Sequence, residues 1–310
     1  MIDALLLVMA LIWGTNYSVV KSAFRELNPH AFNALRLVIA SAAFLTVIGV
    51  LKLRPLKSQS GVATIFQTAT RMTRRDVLEL VGLGIVGHFL YQYFFIGGLA
   101  LTTVANSSLL LAATPVVIAL LGAALGQERV GPRHWGGAAL SMVGIYLVVG
   151  HNVSLDGHGI TGDLMMVAAV VCWSLYTLGA RRLVSRHSPV GVTGLSMAVG
   201  TLLYVPAVWR HLSAVPWSTI SVRTWVSVLY SAIFAFGVAY TIWYAAVRQI
   251  GSARTSVYSN IIPLVAMATA VMFLGERFGL AHAAGAAAVL AGVALTRTAP
   301  QVRTQEPCEP

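Results

Sequence analysis

The apolar residues of this chain come in blocks about twenty residues long, the length a helix needs to cross a bilayer at a rise of about 1.5 Å per residue. Ten such blocks fit, at 3–22, 31–51, 77–98, 102–125, 133–150, 161–181, 189–209, 223–243, 252–274 and 278–297. Asn28-Pro29, Gly131-Pro132, the Gly157–Gly162 stretch, Ser188-Pro189 and Gly251 break the chain between them. Only around Ala100–Thr103 is the separation almost without polar residues. Charged residues make up 10% of the chain, against about 25% in a soluble domain. That is too little polar surface to cover a globule of 310 residues in water, so lipid is the expected solvent. No basic n-region precedes Ala4–Ala10, so the first block is expected to stay as a helix and not to be cleaved as a signal peptide.

The formal net charge of +11 raises nucleic acid as a partner, because basic patches bind phosphates. The distribution argues against it. Lys and Arg sit in short gaps between apolar blocks, where they report topology. They gather in 52–75, 129–133, 181–186, 248–254 and 297–303, segments that share one side, while Lys21, Arg25, Arg210, Arg223 and Arg277 fall on the other. Basic loops face the cytoplasm, so both termini are expected there, with the chain in the cell inner (plasma) membrane. Cys172 and Cys308 offer neither a disulfide framework nor metal-ligand spacing, and no cofactor is expected. The long loop 52–76 reads as a basic linker or, at Val62–Gln67, a surface-lying segment. Residues 298–310 are polar and proline-containing and are expected to be disordered.

The chain also resembles itself. A shift of 160 puts Trp13 on Trp173, Lys21 on Arg181 and Pro29 on Pro189. Beyond the long loop a shift of 148 puts Pro115 on Pro263, Glu128-Arg129 on Glu276-Arg277, Gly131 on Gly279, His134 on His282 and Gly144 on Gly292. Matched prolines, an acid–base pair and a histidine in one register are hard to obtain by chance. Each copy holds five blocks, an odd number, so the second must enter the membrane from the opposite side. The expected architecture is an all-α polytopic membrane protein: ten transmembrane helices as two inverted five-helix repeats, 1–150 and 151–297. Inverted halves that exchange roles suit a secondary transporter with alternating access to one central site.

Specific segments carry a resemblance to a known family. They are Trp13-Gly14-Thr15-Asn16 followed by Lys21 and Asn28-Pro29, Ala34-Leu35-Arg36-Leu37, and Ala105-Asn106-Ser107-Ser108-Leu109 with Pro115. Leu125-Gly126-Gln127-Glu128-Arg129 and its echo Leu274-Gly275-Glu276-Arg277 complete the set. Over nearly all of 3–297 the chain is similar to the EamA family within the drug/metabolite transporter superfamily. The resemblance implies ten helices in two inverted halves and small metabolites, often amino acids or related compounds, commonly exported. The second half departs from the motif: Trp173-Ser174-Leu175-Tyr176 stands where the first has Trp13-Gly14-Thr15-Asn16.

Candidate functional residues follow from depth and chemistry. Arg36 lies about 10 Å along its helix from Pro29. It grips a substrate carboxylate, or else it snorkels outward or ties helix ends together, since its counterpart is Ser196 and it lies near the surface. His88, Tyr91 and Gln92 in the third block, and Tyr240, Trp243 and Tyr244 in the eighth, suit a cavity for small organic solutes or, alternatively, helix packing. Trp13, Asn16, Trp173 and Tyr176 are further candidates for that substrate cavity. Pro115 and Pro263 each remove a backbone donor at matched depth and read as gate hinges or passive kinks. Glu128-Arg129 and Glu276-Arg277 read as helix-terminal pairs. No acid lies mid-block and no catalytic motif is visible, so an intramembrane enzyme is disfavoured; a channel lacks any charged ring or filter. Only His88 is deep enough among the histidines to couple a proton, either as such a site or as a neutral hydrogen-bonding group.

Overall fold

The computed structural model describes residues 2–54, 63–68, 70–124, 132–150, 158–250, 255, 258–276 and 279–297. Helices begin where the breakers stand. After α1 (Ile2–Ala23), α2 (Pro29–Leu53) starts with the Asn28 side chain accepting from His30 N–H at 2.9 Å and with Pro29 where no amide bond is lost. One helical turn, α3 (Ala63–Phe66), precedes α4 (Arg74–Leu101), which a reciprocal Thr73–Asp76 capping box opens. The chain continues as α5 (Val104–Ala112), α6 (Thr114–Ala124), α7 (Pro132–Gly150) and α8 (His158–Arg186). Next, α9 (Pro189–Ala207) repeats the device of α2, with Ser188 as cap and proline in the first turn. The short α10 (Trp209–Ser213), the long α11 (Val222–Ile250), α12 (Ile261–Leu274) and α13 (Leu280–Arg297) complete the fold.

Among the described residues α1, α2, α4, α8, α9 and α11 are long and apolar enough to cross a membrane, and Val104–Ile118, Ile261–Leu274 and Ala283–Gly292 are shorter apolar stretches. Leu78, Tyr146, Leu202 and Met272 are largely exposed on the outer faces, as lipid contact allows. The basic loop 52–76 is described only in part; there Arg248 Nη1 donates to the Thr64 carbonyl at 2.7 Å, tying the end of α11 to α3. Glu128-Arg129, Gly131, Arg277 and the 298–310 tail lie outside the described residues.

The block 102–125, expected as one span, is divided at Ala113. Pro115 has no N–H for the Leu111 carbonyl, which accepts instead from the Thr114 hydroxyl at 2.6 Å. Pro263 acts alike: the Ser259 carbonyl that it leaves accepts from Ile262 N–H, and a turn at 259–260 precedes α12. The almost apolar junction near Ala100–Thr103 is a real helix boundary, because Thr103 caps α5. Glu276 is read from sequence as half of a helix-terminal pair whose other half, Arg277, lies outside the described residues. Its carboxylate accepts from Val104 N–H and Ala105 N–H and so caps α5 from the end of α12. Lys21 supports the same turn by donating to the Leu99 and Thr102 carbonyls.

Several pairs of residues related by the two sequence shifts touch one another. Ser41 and Thr201 hydroxyls are 2.8 Å apart, Ser141 donates to Val289 O at 3.4 Å, Gln92 Nε2 donates to Tyr240 OH at 3.5 Å, and the Trp13 and Trp173 rings lie 5.9 Å apart. At the α7–α13 crossing the contact is reciprocal: a Cβ at Gly144 would meet Gly285 O at 2.8 Å, and one at Gly292 would meet Gly137 O at 2.5 Å. Small residues here let the two backbones approach. A π-helical turn interrupts α4 at Ile85–Leu90 and α11 at Ser231–Val238, overlapping positions under the shift of 148.

Candidate functional site

Between α1, α2, α4, α8, α11 and the two proline breaks lies a cavity of about 70 Å3. Helical spacing builds its wall. Trp13, Asn16 and Tyr17 share one face of α1, Tyr91, Gln92 and Phe95 one face of α4, and Phe236, Tyr240 and Trp243 one face of α11. Arg36, Trp173, Leu111, Thr114, Ala235, Ser259 and Ile262 close it. Many lining positions are counterparts of one another: Trp13 and Trp173, Gln92 and Tyr240, Phe95 and Trp243, Leu111 and Ser259, Thr114 and Ile262.

The aromatic part is a mutually packed cluster. The Trp13 ring meets Tyr240 and Trp243 at centroid distances of 5.6 Å, and Trp173 meets Tyr240 at 5.4 Å and Trp243 at 6.0 Å. Two of these four pairs, Trp13–Tyr240 and Trp173–Tyr240, are edge-to-face, an arrangement ring quadrupoles favour, and the two with Trp243 are tilted. Trp13 Nε1–H is committed to the Ala235 carbonyl at 2.9 Å. That carbonyl belongs to the π-helical stretch of α11, where the helical ladder is irregular.

Arg36 supplies the polar end. Of the alternatives read from sequence, outward snorkelling is corrected: the side chain is 1% exposed and turns into the cavity wall, where it ties α2 to α4 and α11. Its Nε donates to Asn33 Oδ1 at 2.6 Å, Nη1 to Ser231 Oγ at 2.9 Å and Nη2 to Gln92 Oε1 at 2.8 Å. The Phe236 ring lies 4.5 Å from the guanidinium carbon. None of the ion pairs among the described residues includes Arg36, so its charge is held by neutral oxygens and ring faces. Three of the five N–H donors of a guanidinium are used in this way.

Of the residues singled out from sequence, Trp13, Asn16, Arg36, Tyr91, Gln92, Trp173, Tyr240 and Trp243 line the cavity. His88, Tyr176 and Tyr244 do not; they form a layer behind it. His88 Nε2 lies 2.9 Å from Tyr176 OH, Tyr176 OH lies 3.3 Å from Ser196 Oγ, and the Tyr176 and Tyr244 rings meet at 5.6 Å. His88 and Tyr176 are fully buried because α4, α8 and α9 close over them, with Gly87 giving the Tyr176 ring room and Gly200 lying against the His88 Cβ and backbone. Pro115 and Pro263 stand one residue beyond the lining Thr114 and Ile262. Tyr17, Phe95 and Phe236 were missed, although the spacings 13–17, 91–95 and 236–240 place each on a face already chosen.

Comparison with known proteins follows the same outline. The model of the EamA-like transporter family matches residues 1–150 and again 160–298. An uncharacterized transporter of Archaeoglobus fulgidus is 29% identical, the match covering 94% of this chain and 96% of that protein. A probable amino-acid metabolite efflux pump of Salmonella typhimurium is 27% identical over 93% of this chain and 92% of its own. The aromatic amino acid exporter YddG of Ancylobacter novellus is 29% identical over 52% of this chain and 55% of its own.

Proposed function

The chain belongs to the EamA-like transporter family, and on that premise we propose that it is a secondary transporter of small amino-acid-like or aromatic metabolites, working outward by alternating access. The observation that carries the substrate class is Arg36. A buried guanidinium without a carboxylate partner among the described residues, on the wall of an aromatic cavity, is arranged for an anionic group that arrives with the solute. Rings from Trp13, Trp173, Tyr240 and Trp243 then receive the apolar part. The efflux names of two relatives support the direction.

The proposed frame is ten transmembrane helices in two inverted halves, 1–150 and 151–297. Two-fold relation between the halves is supported by contacts between counterparts, since a residue meets its own equivalent only beside the axis that relates them. The family model's double match supports the same division. With five spans each, that axis lies in the membrane plane and passes through the cavity. The protein is placed in the inner membrane with both termini cytoplasmic, from the Lys/Arg bias. Metabolite profiling of overexpressing and deletion cells tests the reading. Depletion of carboxylate-bearing aromatic or small amino-acid-like solutes inside the overexpressing cells is expected; an unchanged profile with no relief of solute toxicity overturns it.

A further inference from the structure

Two polar groups at the cavity remain after the protein's own bonds are assigned. Asn16 is 6% exposed, and its amide oxygen is buried with no hydrogen-bond partner among the described residues. Trp243 is 1% exposed, and its indole N–H is likewise unpartnered among them. Their neighbours are committed: the Gln92 oxygen to Arg36, the Trp13 N–H to the Ala235 carbonyl. Buried polar groups in a folded protein are normally paired, so orphans on a cavity wall point to a ligand that completes them. Among the described residues no Asp or Glu lines the cavity, so a solute's positive end finds no carboxylate among them. What the wall offers instead is Asn16, one helical turn from Trp13 on the same face of α1, with its amide oxygen unpartnered among the described residues and beside ring faces that also attract cations.

We infer that Asn16 is the acceptor for the solute's ammonium group, which makes the site selective for α-amino acids over the same acids lacking the amino group. The inference rests on the amino-acid reading above and adds its second recognition point. The layout is one-sided. Tyr176, the counterpart of Asn16, stands behind the wall and shares its hydroxyl with His88 and Ser196, and Ser196 replaces Arg36 in the second half. Carboxylate and ammonium are therefore both read by the first half, and the solute is held in a single orientation. A site that hydrogen-bonds a substrate N–H rejects the analogue without it, because the buried acceptor is then left unpaired.

The test uses the purified full chain in detergent, titrated with L-phenylalanine, 3-phenylpropanoate and 2-phenylethylamine, binding being read from the fluorescence of the cavity tryptophans. Wild type is expected to bind L-phenylalanine about tenfold or more tightly than 3-phenylpropanoate. In Asn16→Leu, L-phenylalanine should weaken to the level of 3-phenylpropanoate, whose own affinity stays unchanged. In Asn16→Asp, which keeps the shape and adds a charge, 2-phenylethylamine should gain at least about tenfold. Equal weakening of both acids in Asn16→Leu makes the residue a packing element and overturns the inference. So does unchanged L-phenylalanine affinity. Equal binding of both acids by wild type leaves the Arg36 carboxylate reading standing and removes Asn16 alone. Failure to bind either acid removes both.

Discussion

A guanidinium is planar and forked, and at Arg36 that shape is in use: three separate N–H groups meet Asn33, Ser231 and Gln92. Lysine carries the same charge at one point and cannot hold those three oxygens while facing a solute. Arg36→Lys is therefore expected to weaken binding of carboxylate solutes by about tenfold or more, measured on folded protein by titration. The depth of this side chain was not legible from sequence. Distance from Pro29 placed it near a surface, whereas two of its three partners come from α4 and the π-helical turn of α11, which spacing within one helix does not reveal. Surface chemistry yields a second prediction. The Glu26 carboxylate accepts from Ser221 N–H and the Ser221 hydroxyl, both at 2.9 Å, tying the α1–α2 turn to the start of α11. The Ser221 backbone N–H above all, and then its hydroxyl, hold the Glu26 carboxyl below the usual value of 4.5. A depressed folded value means the tie contributes above the unfolded value and is lost as pH falls through the folded one. Thermal melting of the wild type should therefore lose stability on acidification below about pH 4, and Glu26→Gln should flatten that limb.

At the scale of helices, the prolines and glycines were the most readable features, because each acts on its own backbone and needs no partner to be recognised. Pro115 and Pro263 break their helices at matched depth, beside the lining Thr114 and Ile262. If these breaks let the halves rearrange, Pro115→Ala and Pro263→Ala should each slow transport more than they weaken solute binding. Unchanged transport rates in both variants leave them as passive kinks. The glycines give a prediction of opposite signs. A Cβ at Gly292 meets the Gly137 carbonyl, while one at Gly49 or Gly82 meets nothing within 4 Å. Gly49→Ala should stabilise its helix by about 0.5–1 kcal/mol, whereas Gly292→Ala should cost about 1–3 kcal/mol through overpacking at the α7–α13 crossing. Detergent melting of the pair reads the difference. The π-helical turns, by contrast, were invisible in sequence. No residue type demands them, and they follow from how α4 and α11 seat against their neighbours.

For the whole molecule the question is what drives the solute. A proton-coupled carrier needs a group that takes up and releases a proton inside the pathway. Among the described residues no carboxylate lines the cavity, and the acids that are placed gather toward helix ends: Asp3 accepts from Tyr258 OH, Asp163 from the Thr102 hydroxyl and Asn106, and Asp76 pairs with Arg186 and His187. His88, the one deep histidine, is fully buried behind the wall against Tyr176. A proton would have to pass a packed aromatic layer to reach it. Arg36 already carries fixed positive charge beside the cavity, so a zwitterionic solute can enter and leave without any titration of the protein. Transport is expected to run down the solute's own gradient or by exchange. In liposomes, an imposed pH gradient should leave internal and external solute equal, and preloaded solute on the far side should accelerate uptake. His88→Gln keeps a hydrogen-bonding group toward Tyr176 and should change affinity without changing that pattern. Accumulation against the solute gradient that depends on the pH difference and disappears in His88→Gln would reverse the assignment and make His88 the coupling site.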